Sequence, residues 1–178
     1  MNILLHCCCG PCATSCVGTL VGQRYEPTLF YANDNLDSEA EWTRRLHALQ
    51  TFATHVGLEV VASPYHPETW REATASLENE PEGGRRCRAC FRHNLGIAAE
   101  YAKHHGFREW TTTLSVSPHK SSPLLFEVGK EISEPLGIRF MEFDFKKNDG
   151  FRQSVEQAKQ YGLYRQDYCG CVFSKVSR

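Results

Sequence analysis

The chain reads as an α/β protein: a mostly parallel five-stranded sheet with helices on both faces and a cysteine-rich metal site at the strand C-terminal ends. Three observations predict this. Short β-rich runs alternate with stretches of helical apolar spacing along the chain. The first run, Ile3-Leu4-Leu5, is continuously apolar, as a strand buried on both faces should be. It leads into His6-Cys7-Cys8-Cys9-Gly10-Pro11-Cys12, a ligand-rich turn before a helix, where α/β folds usually carry their chemistry.

The elements follow in order. Asn2 to His6 is the first strand and Cys12 to Gly22 the first helix; Pro27 to Tyr31 is the second strand, running into the polar turn Ala32-Asn33-Asp34-Asn35. Asp37 or Ser38 caps a long helix with Trp42, Leu46, Leu49, Phe52 and Ala53 at helical spacing, and Gly57 ends it. Leu58 to Ala62 is the third strand, and Pro67 opens a helix through Leu77, its fixed φ and missing N–H suiting a first turn. After a polar loop from Glu78 to Arg86, a helix is expected from Cys90 to His105, then a fourth strand from Glu109 to Leu114. A helix around Leu124 to Leu136 with Gly137 as its stop, a fifth strand from Ile138 to Phe143 and a helix from Phe151 to Tyr161 complete the series. No linker or repeat divides the chain, so residues 1–178 are expected to form one domain carrying a composite Cys-rich site.

Composition narrows the function classes. The chain has 178 residues and a net charge of −1, so the molecule as a whole exerts little pull on a polyanion and any nucleic-acid site must be a local patch. No stretch approaches the roughly 20 apolar residues of a membrane span, and no segment reads as an export signal. A cytoplasmic location without membrane partners is expected. In that reducing setting, nine cysteines point to metal or redox chemistry rather than structural disulfides.

The cysteines fall into three groups: the first turn, the C-x2-C pair Cys87 and Cys90, and the C-x-C pair Cys169 and Cys171. Strand alternation should send Cys7 and Cys8 to opposite sides, and Cys16 suits a small buried position in the first helix. Setting Cys7 and Cys16 aside, nine less two leaves seven: Cys8, Cys9, Cys12, Cys87, Cys90, Cys169 and Cys171. Thiolates are soft ligands for iron–sulfur clusters and zinc, and seven exceeds the four that one cluster or one zinc needs. A cluster beside a second metal or redox site is the economical reading. A closed four-thiolate zinc site is the plainer one.

Other polar groups stand out. His119-Lys120 follows a Ser-x-Ser-Pro turn after a strand, and Arg85, Arg86, Arg88 and Arg92 surround the C-x2-C pair, where they would stabilise thiolates or bind phosphate. Tyr164-Arg165-Gln166-Asp167-Tyr168 places a cation, an acid and two aromatics beside Cys169. His6 suits either a site or a satisfied core position.

Taken together, these segments resemble the QueH-type epoxyqueuosine reductases. The resemblance is carried by Leu5-His6-Cys7-Cys8-Cys9-Gly10-Pro11-Cys12, Phe30 through Asn35, Glu80 through Phe91, Thr111 through Lys120 and Leu163 through Cys171, which fall in order along the chain. Gly10 stands where the family more often has Ala, a minor departure, and Ser121 where the family has Asn after His-Lys. The resemblance implies reduction of the epoxide of epoxyqueuosine at the wobble position of tRNA to the alkene of queuosine, the last step of queuosine synthesis. It implies an adenine-nucleotide-hydrolase-like fold, a [4Fe–4S] cluster and a second metal, iron, nearby. On this resemblance the cluster is assigned to Cys8, Cys9, Cys87 and Cys90. Cys12, Cys169 and Cys171 then form the second site, either as iron ligands or as a redox-active dithiol. Asp167, Tyr168 and His119 are the general-acid candidates. Lys120, Lys146, Lys147, Arg152 and Arg165 are the tRNA-binding candidates, with Tyr31, Tyr164 or Tyr168 stacking on an extruded base. The tRNA and an unidentified electron donor are the expected partners. Two other classes stay open on the residues: an iron–sulfur electron-transfer module, suggested by Cys8-Cys9-Gly10, and a zinc-stabilised, non-catalytic binding protein.

Overall fold

A computed structural model describes residues 1–176. Its centre is a five-stranded sheet in the order β3-β2-β1-β4-β5, in which every pair is parallel. The strands are β1 (Asn2–Cys7), β2 (Glu26–Tyr31), β3 (Val60–Ala62), β4 (Glu109–Thr112) and β5 (Arg139–Phe140). The helices are α1 (Gly10–Gly22), α2 (Glu39–Val56), α3 (Pro67–Ala73), α4 (Arg85–His104), α5 (Ser122–Leu136), α6 (Gly150–Gln160) and α7 (Val172–Val176).

β1 is buried on both faces, as its unbroken apolar run requires. Ile3, Leu5 and Cys7 face a layer built from α1, α2 and α6, with Cys16, Leu20, Leu49 and Phe52 in the same cluster. Leu4 faces the opposite layer of α4 and α5, with Leu95, Trp110, Leu125 and Val128. Cys7 and Cys16 are fully buried, which keeps both thiols protonated well above their ordinary range, the neighbouring thiols adding to the effect. His6 is buried as well. Its Nε2 lies 2.9 Å from the Ala32 carbonyl and must donate to it, so Nδ1 accepts from the Thr112 hydroxyl at 2.8 Å. Burial lowers its pKa despite the Ala32 bond, and a neutral ring pins the C-terminal ends of β1, β2 and β4 together. It is a satisfied core residue.

The helix caps follow the local chemistry. Ser38 accepts from the Glu41 N–H at 3.2 Å to start α2, and Gly57 and Gly137 take left-handed φ values of 69° and 65° to end α2 and α5. α1 begins at Gly10 rather than Cys12 and β3 at Val60 rather than Leu58, and the bounds of four further elements also differ from the sequence reading. β4 stops at Thr112 because that side chain turns back to accept the Leu114 N–H, starting a 3-10 turn over Thr113–Val116. With β4 ended, β5 loses its partner: hydroxyls of Thr111 and Ser115 take the carbonyls of Met141 and Phe143, and the chain bends away after Phe140. α4 begins at Arg85, its N–H capped by Glu80, which places Cys87 and Cys90 on one helical face. α3 ends at Ala73 rather than Leu77, ahead of Ser76 at φ 65°. α7, in the C-terminal tail, was not expected.

The order 3-2-1-4-5 reverses direction between β1 and β4. Open α/β sheets have a crevice at such a point, beyond the strand C-terminal ends, and the first cysteine turn opens into it.

Candidate metal and redox centre

The β1–α1 turn gathers three thiols. Cys8, Cys9 and Cys12 hold their sulfurs within 4.8 Å of one another. The Cys8 N–H donates to Thr113 Oγ1 at 3.2 Å, across the switch point, and Asn33 Nδ2 donates to the Cys7 carbonyl at 3.0 Å. Cys9 is the N-cap of α1: its sulfur accepts the Cys12 N–H at 3.4 Å and Gln166 Nε2 at 3.1 Å. Burial pushes the Cys9 thiol up, but donation from Cys12, Cys8 and Gln166 outweighs it and holds the pKa well below the ordinary thiol range. Cys8 accepts from Cys12, yet the adjacent Cys9 charge and burial push it up to about 11. Cys12, donating to both, is raised further. Of the three sulfurs, Cys9 is the one its neighbours favour most as a thiolate.

A second group forms where α4, the loop before α5 and the C-terminal tail meet. Cys87, Cys90, Cys169 and Cys171 line one cavity of about 50 Å³ with Trp70, His119 and Lys120. That space is on the order of a water molecule or a metal ion, far below a nucleoside. Lys120 points its ammonium at Cys169 Sγ, 3.2 Å away. Burial lowers the lysine's affinity for its proton, but Cys169 more than reverses this, helped by Cys8 and Cys90, so the amine stays charged. Cys169 in turn lies well below the ordinary thiol range, first through the Cys171 thiol donating to it and then through Lys120. Burial, backed by the Cys169 charge, pushes Cys90 up to about 12. The ammonium thus sits where both thiol groups feel it.

Cys12 closes on Cys8 and Cys9 because all three ride one turn, while Cys87 and Cys90 line a cavity with Cys169 and Cys171.

Several side chains stand elsewhere than expected. Tyr168 donates its hydroxyl to Asp37 at 2.9 Å and lies under Arg45, so its proton is committed to an anchor rather than offered to the cavity. Asp167 is exposed, and His119 is exposed at the cavity rim. Of the five phosphate-contact candidates, Lys120 points inward. Lys146 is half-buried and spent on the loop before α5, donating to the Lys120 carbonyl at 2.8 Å and Ser122 Oγ at 2.7 Å. Arg152 pairs with Asp149 and Glu156, whereas Lys147 and Arg165 are exposed, the latter over the Phe151 ring. The arginines around the C-x2-C pair are engaged too: Arg85 with Glu80, Arg88 with Glu127 and Glu131, Arg92 with Glu131, and buried Arg86 with the carbonyls of Leu77 and Glu78. Tyr31 is fully buried and donates to the Trp42 carbonyl, which removes it as a stacking platform; Tyr164 donates to Glu41 with Arg44 over its ring.

Residues that sequence reasoning passed over complete the site. Asn94 Nδ2 lies 3.7 Å from Cys90 Sγ and bridges to Asn35, a position signalled by its i+4 spacing from Cys90. Arg45 is buried on α2, paired with Glu41 at 2.7 Å, and donates to the carbonyls of Cys169 and Tyr168. Gly170, at φ 118°, passes so close that a Cβ there would meet Leu36 at 2.3 Å. No local pattern marks Arg45 or Trp70 as neighbours of the thiols.

Residues 3–177 match the family model described as epoxyqueuosine reductase QueH. A protein of Streptococcus pyogenes named epoxyqueuosine reductase QueH is 36% identical over 97% of this chain and 70% of its own length. One of the same name from Thermotoga maritima is 33% identical over 99% of this chain and 92% of its own. Among solved structures, a predicted subunit of tRNA methyltransferase from Methanocaldococcus jannaschii superposes with a TM-score of 0.55 at 12% identity, covering 89% of this chain and 76% of that one. This last likeness is one of fold alone.

Proposed function

The chain belongs to the epoxyqueuosine reductase QueH family, and on that premise we propose that it reduces epoxyqueuosine to queuosine at the wobble position of tRNA, the last step of queuosine biosynthesis. Both C–O bonds of the epoxide break, a C=C bond forms, and the oxygen leaves as water after taking up two electrons and two protons. The observation that carries this reading is the convergence of seven thiols and one buried ammonium at the switch point of the sheet.

The donor set at the first turn suits an iron–sulfur centre: three sulfurs clustered within 4.8 Å, with four more thiols lining the neighbouring cavity and a buried Trp70 indole N–H unpaired among the described residues. In the proposal Cys8, Cys9 and Cys12, with one thiol of α4, hold a [4Fe–4S] cluster. The remaining three of Cys87, Cys90, Cys169 and Cys171 hold a second metal, iron, unless Cys169 and Cys171 act as a dithiol. Bound there, such centres supply low-potential electrons and a Lewis acid.

The chain's own residues do the rest. Lys120 offsets thiolate charge and keeps its proton in the cavity. In this reading His119, exposed at the rim, hands a proton to the departing oxygen, with Asp167 as a second exposed acid on the tail beside Cys169. Lys147 and Arg165, exposed cations, are the remaining phosphate contacts of the original five. The reading places the protein in the cytoplasm with an unidentified electron donor; among the described residues no helix is long and apolar enough to cross a membrane.

The test is direct. Anaerobically reconstituted protein, a low-potential reductant and tRNA carrying epoxyqueuosine should yield queuosine in a nucleoside digest. A metal-replete, reduced protein that leaves the epoxide intact overturns the proposal.

A further inference from the structure

We infer that Trp70 is a positioning residue of the metal site: its indole N–H donates to the Cys90 sulfur once that sulfur is a metal-bound thiolate, and so raises the reduction potential of the centre. This rests on the reading above that Cys90 is a metal ligand.

Trp70 is 5% exposed, and among the described residues its Nε1 makes no hydrogen bond of ordinary geometry. Buried N–H groups are nearly always paired, so an orphan at a site calls for an account. Trp70 and Cys90 line the same cavity. Two other sulfurs there already accept close donors: Cys87 takes the Gly83 N–H at 3.2 Å and Cys169 takes Lys120 at 3.2 Å. Among the described residues, the donor bonded to Cys90 is Asn94, at a long 3.7 Å. Its sulfur therefore has acceptor capacity to spare.

A neutral thiol is a weak acceptor of an N–H. Metal binding deprotonates its ligand, and a charged sulfur draws a much stronger N–H bond. The apolar packing of Trp70 against Phe173 would be served by phenylalanine without the unpaired donor. Donors to ligand sulfur stabilise the more negative, reduced state.

Trp70→Phe in the iron-loaded protein isolates the N–H. Iron and sulfide content should equal those of the wild type. At a fixed solution potential, the reduced-to-oxidised ratio of the Cys90-bound centre should fall about tenfold, a downward shift of about 59 mV for a one-electron couple, read by an EPR-monitored titration. An unchanged midpoint overturns the inference. Wild-type protein labelled with indole-¹⁵N tryptophan gives a measurement that needs no variant. The reduced centre should show one ¹⁵N hyperfine coupling; the Trp110 N–H is already bonded to Ser133 at 2.8 Å and Trp42 packs on Tyr31 and Tyr65. A paramagnetic centre without that coupling overturns the role of Trp70 alone, whereas wild-type protein with no redox-active metal at all overturns the underlying reading with it.

Discussion

The two halves of the thiol site are held by different means. Cys8, Cys9 and Cys12 ride on the end of β1, a strand paired on both sides by β2 and β4, and their turn is fixed by backbone groups and by Thr113 and Asn33. Cys169 and Cys171 lie on a tail with no strand beneath it. That tail hangs on polar contacts from distant segments: Arg45 grips the carbonyls of Cys169 and Tyr168, Tyr168 reaches Asp37, and the Asp37 N–H donates to the Gly170 carbonyl at 2.9 Å, while within the tail Ser174 accepts the Gly170 N–H at 3.3 Å. One half is positioned by the sheet itself, the other by a few long-range polar contacts. The difference teaches where each half is vulnerable: the first through its ligands and packing, the second through one cation on α2.

The largest effect should come from Cys9→Ser, which removes the sulfur on which Cys8, Cys12 and Gln166 converge. Bound iron and conversion of epoxyqueuosine should both be lost, while Cys171→Ser should retain the triad's iron; equal iron contents in the two variants would break the comparison. Arg45→Met comes next. It removes the buried cation from the Glu41 carboxylate, whose side chain is 6% exposed, and leaves it the exposed Arg44 at 3.4 Å and the Tyr164 hydroxyl. We expect a loss of about 1.5–3 kcal/mol in urea unfolding, with faster reaction of Cys169 toward a thiol reagent. No change in that rate would show that the tail does not depend on α2.

Gly10→Ala tests the other half. A Cβ there would lie 2.5 Å from the Ala48 carbonyl oxygen, so α2 must shift. A cost of about 1–3 kcal/mol is expected by thermal unfolding. The substitution that reads as minor in sequence is therefore not minor in this packing. Asp37→Asn gives the smallest change. Burial raises the Asp37 pKa, but Lys175 and Tyr168 donate to it and hold it below the ordinary carboxylate value. A depressed pKa gives stability that is present above the unfolded value of about 3.9 and lost as pH falls through the folded one. Urea midpoints of the wild type should therefore fall more steeply between about pH 5 and 3 than those of Asp37→Asn. The effect should be about 1 kcal/mol or less, because Lys175 is 58% exposed.

Much of the fold was legible because its signals are local. The buried run of β1, the caps at Ser38, Gly57 and Gly137, and the core positions of Cys7 and Cys16 all follow from spacing and side-chain chemistry within a few residues. The early end of β5 was not, since it depends on hydroxyls of Thr111 and Ser115 some 30 residues away in the chain. The site divides the same way. Its thiols could be counted, but Lys120, Lys146 and Tyr168 look in sequence like ordinary surface groups beside a motif.

By itself, then, the sequence determined the parallel α/β frame, the turn on which the first thiols stand and the family to which their motifs belong. Only the tertiary structure decided which thiols share a space, that Lys120 turns its charge inward, and that Trp70 keeps an unspent N–H beside Cys90. The physical reason is range. Backbone pairing and burial act through neighbours in the chain, whereas the charge and hydrogen bonding of a thiol are set by whatever distant segments the fold brings within a few ångströms of it.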